Sequence, residues 1–531
     1  RRIFPVIIQL FFIKVLKIYF NKKLQKRDVE IKGLNLSFNT IQELENKLVD
    51  ENFNFTIDQF IHDHIYKKRL NKKKLASSSK KVFVPLYKNN LYQINEMILS
   101  KILIKLEYYI FKYVPFFSRI PTLHLSQMSG IFFKKGWFLF FLKNLDYDFI
   151  SNYKSYDIKE RNLILKKLLP SKYFKDFQSE FNLDIKNKTI LEKLFNQFMI
   201  NLFPTTFLEN FYLNFTKANK ILKGSKSKIV ISSGCFSTSN IFLLCAAKEN
   251  DFKLVNIQHG GLEGYVNHIP IYNEIEYVIA DTYLSWGWSK ISTNKGLNIL
   301  PISSPWLSER KLLFKRNKKV NLNDKIDVLY MPRKAINLRT TPYGRNNVIE
   351  SDLIYSKIDF LNIINSLENN KFSSVCKFYD IHSSKFYKKV IENEKNNYKI
   401  VNFSLSLEKG ISRNMVNNHK LILWDLPGTG FLECIACNIP TICCNNSNVM
   451  KINKCSQSFF DELKSVGVYC ESIDDMNLFI KNFLKNPEEW ITNKKRNLVL
   501  KKISYIFARV EKDWSKEWLK TIKSIAKNNN V

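Results

Sequence analysis

The tetrapeptide Gln258-His259-Gly260-Gly261 closes a short apolar run, Phe252–Ile257, and puts an imidazole beside two glycines. Histidine takes or gives a proton near neutral pH without special tuning, so His259 reads as a general base or a phosphate ligand. Gly260 and Gly261 would let a substrate approach the backbone closely, with Gln258 and Glu263 completing an acceptor-side cleft. Glu276 and Asp281 follow as further carboxylates, able to act as base if His259 binds phosphate. Taken alone, the same residues also describe a hydrogen-bonded loop and a tight turn.

A second set lies downstream in Trp424-Asp425-Leu426-Pro427-Gly428-Thr429-Gly430. Gly428 and Gly430 free backbone amides, Thr429 adds a hydroxyl, and the helix that follows offers a positive amino end to a phosphate. Glu433, one turn into that helix, is a carboxylate acceptor for ribose hydroxyls. Asp425 shares the loop. The pattern matches neither the dinucleotide G-x-G-x-x-G nor the P-loop, so a capped strand-to-helix turn is the competing reading. Arg333 and Lys334 follow the apolar run Ile326–Met331, where a guanidinium can pair with a donor phosphate in place of a metal. In so basic a chain a plain surface arginine fits equally well. One D-x-D spacing, Asp146-Tyr147-Asp148, follows an aromatic run rather than a strand end, so neither an essential metal nor a cofactor is expected.

The elements that must hold these residues alternate. Lys228–Ser232 is a β-branched run, Ser232–Ser239 a polar loop, Asn240–Lys248 a helical stretch, and Phe252–Ile257 a second strand. Both polar loops then fall at the carboxyl ends of adjacent parallel strands, the edge where open α/β sheets bind ligands. Tyr277–Ala280 and Tyr283–Trp286 are predicted as further strands, and Lys311–Lys325 as a linker. From Ile326 the alternation resumes through strands at Ser374–Phe378, Lys399–Phe403, Lys420–Leu423 and Thr441–Cys444. The expected organisation is a mostly helical region over 1–225, a Rossmann-like acceptor-side unit over 226–310, a second Rossmann-like unit over 326–486, and closing helices over 487–531. In the last of these, Trp514 and Trp518 share one face.

With 531 residues, two domains are the natural expectation. A formal charge of +35, from 83 basic and 48 acidic residues, is compatible with nucleic-acid binding, an anionic membrane surface or a genomic bias toward Lys and Asn. The lysines are spread over the whole length and no nucleic-acid motif accompanies them, so genomic bias ranks first, peripheral contact with the inner membrane second, and nucleic acid last. The basic stretch Lys67–Lys81 reads as a solvated insertion, and the aromatic run Gly130–Leu145 as core in preference to a lipid-facing surface. The apolar run Ile3–Ile13 is shorter than the ~18 residues a membrane span needs, and the start at Arg1-Arg2 suggests that the natural amino terminus is missing. Cys434, Cys437, Cys443 and Cys444 fall at buried helix and strand positions, so they pack as small hydrophobes rather than bind zinc, in a reducing cytoplasm.

Together NIQHGG, NEIEYVIADTYLSWGW, YMPRK and WDLPGTGFLECIACNIPTI resemble a bacterial family of transferases encoded in surface-polysaccharide and nonulosonic-acid gene clusters, related to GT-B capsule enzymes. The resemblance spans about Lys228 to Ile442. It implies a GT-B-like α/β fold, two Rossmann-like domains with a cleft between them. It also implies glycosyl transfer from a nucleotide-activated donor, CMP- or CDP-linked, to a surface glycan or its lipid-linked precursor. A glycerophosphate or polyol-phosphate transferase, a nucleotide-sugar epimerase and a non-catalytic glycan-assembly scaffold are the alternatives.

Overall fold

The computed structural model describes residues 120–123, 142–144, 149–151 and 204–527, the last without 224–227, 234–237, 268–275, 291–295, 315–324, 335–350, 395–398, 400 and 405–409. The stretch Lys67–Lys81, the pair Asp146 and Asp148, and most of Gly130–Leu145 lie outside the described residues.

Two fully parallel six-stranded sheets form the frame. The first contains β1 (Ile120–Leu123), β2 (Leu142–Asn144), β3 (Ile229–Ser232), β4 (Lys253–Ile257), β5 (Thr282–Ser285) and β6 (Asn298–Pro301), in the order β2-β1-β3-β4-β5-β6. β3 is buried at every position, which is why it is an unbroken apolar run rather than an alternating one. Helices α1 (Phe211–Lys223) and α2 (Thr238–Glu249) cover one side. Phe242, Leu243 and Ala246 of α2 pack there with Val230 and Leu254.

The second sheet contains β7 (Ile326–Met331), β8 (Ser374–Lys377), β9 (Val401–Ser404), β10 (His419–Trp424), β11 (Thr441–Cys444) and β12 (Tyr469–Cys470). Its order, β12-β11-β10-β7-β8-β9, runs outward from β7 in one direction and then restarts beside β7 in the other. The crevice at the carboxyl ends of β7 and β10 is therefore the point of reversal, where doubly wound sheets receive ligands. Helix α3 (Pro305–Phe314) leads in from the first sheet, and α4 (Ser351–Asn369), α5 (Ile381–Glu394), α6 (Arg413–Asn418) and α7 (Thr429–Cys437) connect the strands. After β11 come α8 (Gln457–Ser465), α9 (Ile473–Lys485), α10 (Glu489–Thr492), α11 (Lys494–Phe507) and α12 (Trp514–Lys527). The architecture is GT-B-like: two Rossmann-like domains with closing helices.

Three placements differ from the sequence reading. The first sheet recruits β1 and β2 from upstream of residue 226, and β2 is the end of the aromatic run Gly130–Leu145. Tyr277–Ile279 is a helical turn, not a strand, because Tyr277 turns inward to meet Tyr283 edge-on with centroids 4.9 Å apart. The expected linker Lys311–Lys325 begins inside α3, which extends to Phe314.

The closing helix α12 returns to the first domain. Trp514, Trp518 and Ile522, spaced by four, are buried with Ile229, Ile231, Val255, Ile257 and Leu284. The Trp518 indole N–H donates to the Ser303 carbonyl at 2.7 Å. Truncating a buried Trp to Ala removes about 3–5 kcal/mol, whereas an exposed ring such as Tyr212 contributes within about 0.5 kcal/mol. Trp518→Ala should therefore lower the unfolding free energy in urea by several kcal/mol and Tyr212→Ala should not; equal effects would mean that α12 is not part of the first core.

Candidate active site

The site begins where β4 ends. Gln258 is fully buried. Its side-chain carbonyl accepts from the Trp286 amide at 2.6 Å and the Trp288 indole at 2.9 Å, and its amide donates to the Gly260 carbonyl at 2.8 Å. It thus braces the loop against the end of β5 instead of facing a ligand. His259, the next residue, keeps 21% of its side chain exposed. Its Nδ1 lies 3.8 Å from Glu263 Oε1 and 3.9 Å from Glu276 Oε2, and both carboxylates are buried. Both carboxylates lie on the Nδ1 side of the ring, and Nε2 is the nitrogen turned away from them. The Tyr283 hydroxyl donates to Glu263, and the Asn256 amide holds the Glu276 carbonyl at 2.9 Å. Burial, reinforced by Glu263, pushes the Tyr283 phenol well above its ordinary range, so it stays a donor.

The loop then enters the second domain. The Gly261 amide donates to Thr429 Oγ1 at 2.8 Å, and a Cβ on Gly261 would lie 2.6 Å from the Thr429 nitrogen. Tyr265 is buried, its ring against Phe460 and Phe507, and its hydroxyl donates to the Pro427 carbonyl. Val266 and Ile452 form an antiparallel bridge, flanked by Asn267 N–H to Lys451 O and Asn453 N–H to Tyr265 O, each 2.9 Å. The space left by Gly261 is therefore filled by the second domain, which corrects the expectation that it admits substrate. Gly260 is less crowded, with a Cβ position 3.5 Å from Thr429 Oγ1.

At the reversal point of the second sheet, Arg333 and Asp425 leave adjacent strands and meet. The Arg333 amide donates to Asp425 Oδ1 at 2.7 Å and its Nε to Oδ2 at 3.2 Å, while Nη2 reaches Asp359 Oδ2 at 2.8 Å. Tyr330 donates to Asp425 at 3.2 Å and Asn446 to Asp359 at 2.9 Å. Burial works against the Arg333 charge, but Asp425 and Asp359 hold its pKa above the ordinary arginine value. Burial pushes Asp425 up, and Arg333 pulls it back. The guanidinium is thus matched by two carboxylates rather than standing ready for a phosphate, and Nη1 alone has no acceptor among the described residues. Lys334, about half exposed, pairs with Asp380 at 3.1 Å.

Two further expectations change. Glu433 faces inward from α7 and meets Arg310 Nε of α3 at 2.5 Å, so its carboxylate is engaged inside the protein and not extended toward a ribose. The reason is that α7 is buried on nearly every face, which leaves an acid there no route outward. Asp281 lies at the opposite edge of the first sheet from His259. It accepts from the Leu254 amide and from Lys248, each at 2.7 Å, at the amino ends of β4 and β5. Gly430 leaves room for the Trp424 ring, not for a ligand. Gly428 is the N-cap of α7 and supplies no side-chain cap to the helix amino end.

A model of the LIC12162 family of transferases matches residues 22–522. The chain belongs to that family. No curated protein matches it. Among solved structures it is similar to UDP-GlcNAc 2-epimerase from Neisseria meningitidis bound to UDP-GlcNAc, with 12% identity, 69% of this chain and 96% of that one covered, and a TM-score of 0.35. UDP-GlcNAc 2-epimerase from Methanocaldococcus jannaschii, in complex with UDP-GlcNAc and UDP, gives 13% identity, coverage of 55% and 80%, and a TM-score of 0.33. Acinetobacter baumannii MurG gives 10% identity, coverage of 54% and 72%, and a TM-score of 0.31. The family match, not these distant likenesses, places the chain.

In this LIC12162-family transferase several site-forming residues carried no motif. Tyr265, Arg310 and Asp359 lie outside the quoted motifs, and Tyr283 lies inside one without being singled out; the available signal was only that a polar group that becomes buried needs a partner. Cys434, Cys443 and Cys444 pack as core, and burial pushes the thiol of half-buried Cys437 up to about 12. Burial also raises the Glu433 carboxyl, against the pull of Arg310. Arg310→Ala should cost about 3–5 kcal/mol by leaving that carboxylate buried and unpaired. A folded-state pKa above the unfolded one is a penalty at high pH that is relieved as pH falls through the folded value. The loss measured by urea unfolding at pH 7.5 should therefore shrink at pH 5, and Arg310→Ala/Glu433→Gln should recover part of it; a pH-independent loss with no recovery would mean that the pair is not what is being measured.

Proposed function

We propose that the chain is a glycosyltransferase that moves a sugar from a nucleotide-activated donor, CMP- or CDP-linked, to a surface glycan or its lipid-linked precursor. One juxtaposition supports the reading. His259, between two buried carboxylates, is followed directly by the glycines that touch the first residue of α7. A general base and the positive end of a nine-residue helix thus share one cleft.

In the proposed reaction the acceptor hydroxyl gives its proton to Nε2 of His259 while its oxygen bonds to the anomeric carbon. The bond from that carbon to the donor phosphate breaks, and the phosphate leaves with the electron pair. Glu263 and Glu276 stabilise the imidazolium that forms, as an oriented carboxylate does for a catalytic histidine. Amides around Thr429 and Gly430 stabilise the departing phosphate, which assigns no step to a divalent cation. Arg333, fixed by Asp425 and Asp359, braces the reversal crevice from within, and Lys334 adds charge at its rim. Gln258 and Gly261 position the histidine.

A thermal-shift panel with CMP, CDP, UMP, UDP and GDP, with Mg²⁺ or with chelator, tests the donor half. A shift with cytidine nucleotides that survives chelation is expected; none with any nucleotide would favour a scaffold role. Against the donor so identified, His259→Ala should retain binding and lose about 10²–10⁴-fold in transfer rate, and Glu276→Gln should lose less. Transfer at the parent rate by His259→Ala would remove the histidine from the mechanism.

A further inference from the structure

Helix α11 buries one apolar face and carries two large apolar side chains among lysines on its outer side. Val499, Leu500, Ile503 and Phe507 enter the core. On the outer side Leu498 is 68% exposed and Tyr505 62% exposed. Lys495, Leu498, Lys502 and Tyr505 are spaced by three, four and three, so they make one stripe, with exposed Lys494 and Lys501 beside it. The amino end of the stripe borders a cavity of about 500 Å³ lined by Lys485, Trp490, Lys495 and Arg496 among others. Across that cavity α9 repeats the arrangement with exposed Leu478, Lys481 and Lys485, spaced by three and four.

We infer that the outer faces of α9 and α11 dock this transferase on an anionic membrane surface. The chemistry favours lipid over an acidic protein. Leu498 stands among Lys494, Lys495, Lys501 and Lys502, Tyr505 follows Lys501 and Lys502, and Leu478 precedes Lys481; the three stand apart as single anchors and do not form the continuous apolar patch of a protein interface. Lysine clusters with isolated apolar and aromatic side chains fit the boundary between headgroups and acyl chains, where tyrosine is enriched. The opposing charges nearby are Asp474 and Asp475 in the first turn of α9, where Asp475 takes Lys464 at 3.5 Å, Glu462, which takes Lys502 at 2.5 Å, and Glu489, which lines the cavity. No helix among the described residues is long and apolar enough to cross a bilayer, so the contact is from the surface.

The placement also carries a consequence for the acceptor. The carboxyl end of α11 abuts the end of β5, where the Arg509 amide donates to the Trp286 carbonyl at 3.0 Å and Gly287 leaves room for the Tyr505 and Ile506 carbonyls. Gln258 is braced on the same Trp286. A membrane lying along the stripe therefore reaches the edge of the sheet that carries His259, which suits an acceptor held in the lipid. Docking itself does not depend on the glycosyltransferase reading and is measured without nucleotide.

Co-sedimentation with vesicles of phosphatidylcholine plus phosphatidylglycerol, against phosphatidylcholine alone, tests the inference at physiological ionic strength. The parent protein should partition about tenfold more onto the anionic vesicles. Leu498→Glu/Tyr505→Glu should lose about tenfold of that binding. Lys389→Glu on α5, which makes the same change in net charge at another exposed position, should keep most of it. If the glutamate pair disturbs folding, Leu498→Ala/Tyr505→Ala gives the same comparison with a smaller loss. No preference of the parent for anionic vesicles, or equal loss in the Lys389→Glu protein, would overturn the inference.

Discussion

Gly261 has no room for a side chain because the first amide of α7 occupies the place where one would be. Much of the cleft depends on that contact. It allows the loop after β4 to pass through the second domain, where Tyr265 is buried and the chain forms a short bridge with the segment before α8. His259 is consequently fixed on both sides: Gln258 ties the preceding residue to the end of β5, and Gly261 ties the following turn to α7. The orientation of His259 relative to the amino end of α7 is then set by backbone packing, which needs no reorganisation to be maintained.

The buried charges set the amino end of α7 apart from the reversal crevice. Arg333 carries one positive charge against the two negative charges of Asp359 and Asp425, so this network is locally anionic. Buried ions are tolerated when paired, and such pairs fix geometry more than they add stability. Here they lock β7, β10 and α4 to one another at the carboxyl edge. The Arg310–Glu433 pair does the same for α3 and α7, joining the connection between the domains to the helix that meets His259. With Glu433 neutralised from behind and Glu263 and Glu276 gathered around His259, the amino end of α7 is a positive feature of this region among the described residues.

The sequence made the alternation of the second domain legible because its parallel strands are short, β-branched and bounded by turn residues. It also singled out His259 and the Gly428–Gly430 loop. It could not say which partner would use each feature. Gly261 and Gly430 are glycines because Thr429 and Trp424 press against them, contacts between residues whose closeness only the folded chain creates. Glu433 looked like a ligand-facing acid since its neighbours fix a helix but not the side that α3 covers. Asp281 seemed close to His259 along the chain, yet a parallel strand separates a loop from its successor by the full depth of the sheet. Tyr277–Ala280 has strand-like composition over too few residues for periodicity to decide. β1 and β2 lie far upstream of β3 in an aromatic, lysine-rich region without alternation, so their membership of the first sheet is a long-range fact.

The closing helices were readable as helices, and Trp514 and Trp518 as one face, but not their destination. By packing under the first sheet after α11 has crossed the second domain, α12 makes the chain's end part of its first core. Among the described residues the domains are joined at the loop through Gly261, at α3 with its Arg310–Glu433 pair, and at the turn where the Ser304 amide donates to the Arg509 carbonyl at 2.7 Å. Rotating one domain away from the other would break buried bonds at all three. Because packed backbone joins the domains at these places, separating them is a high-cost way to open the space between them.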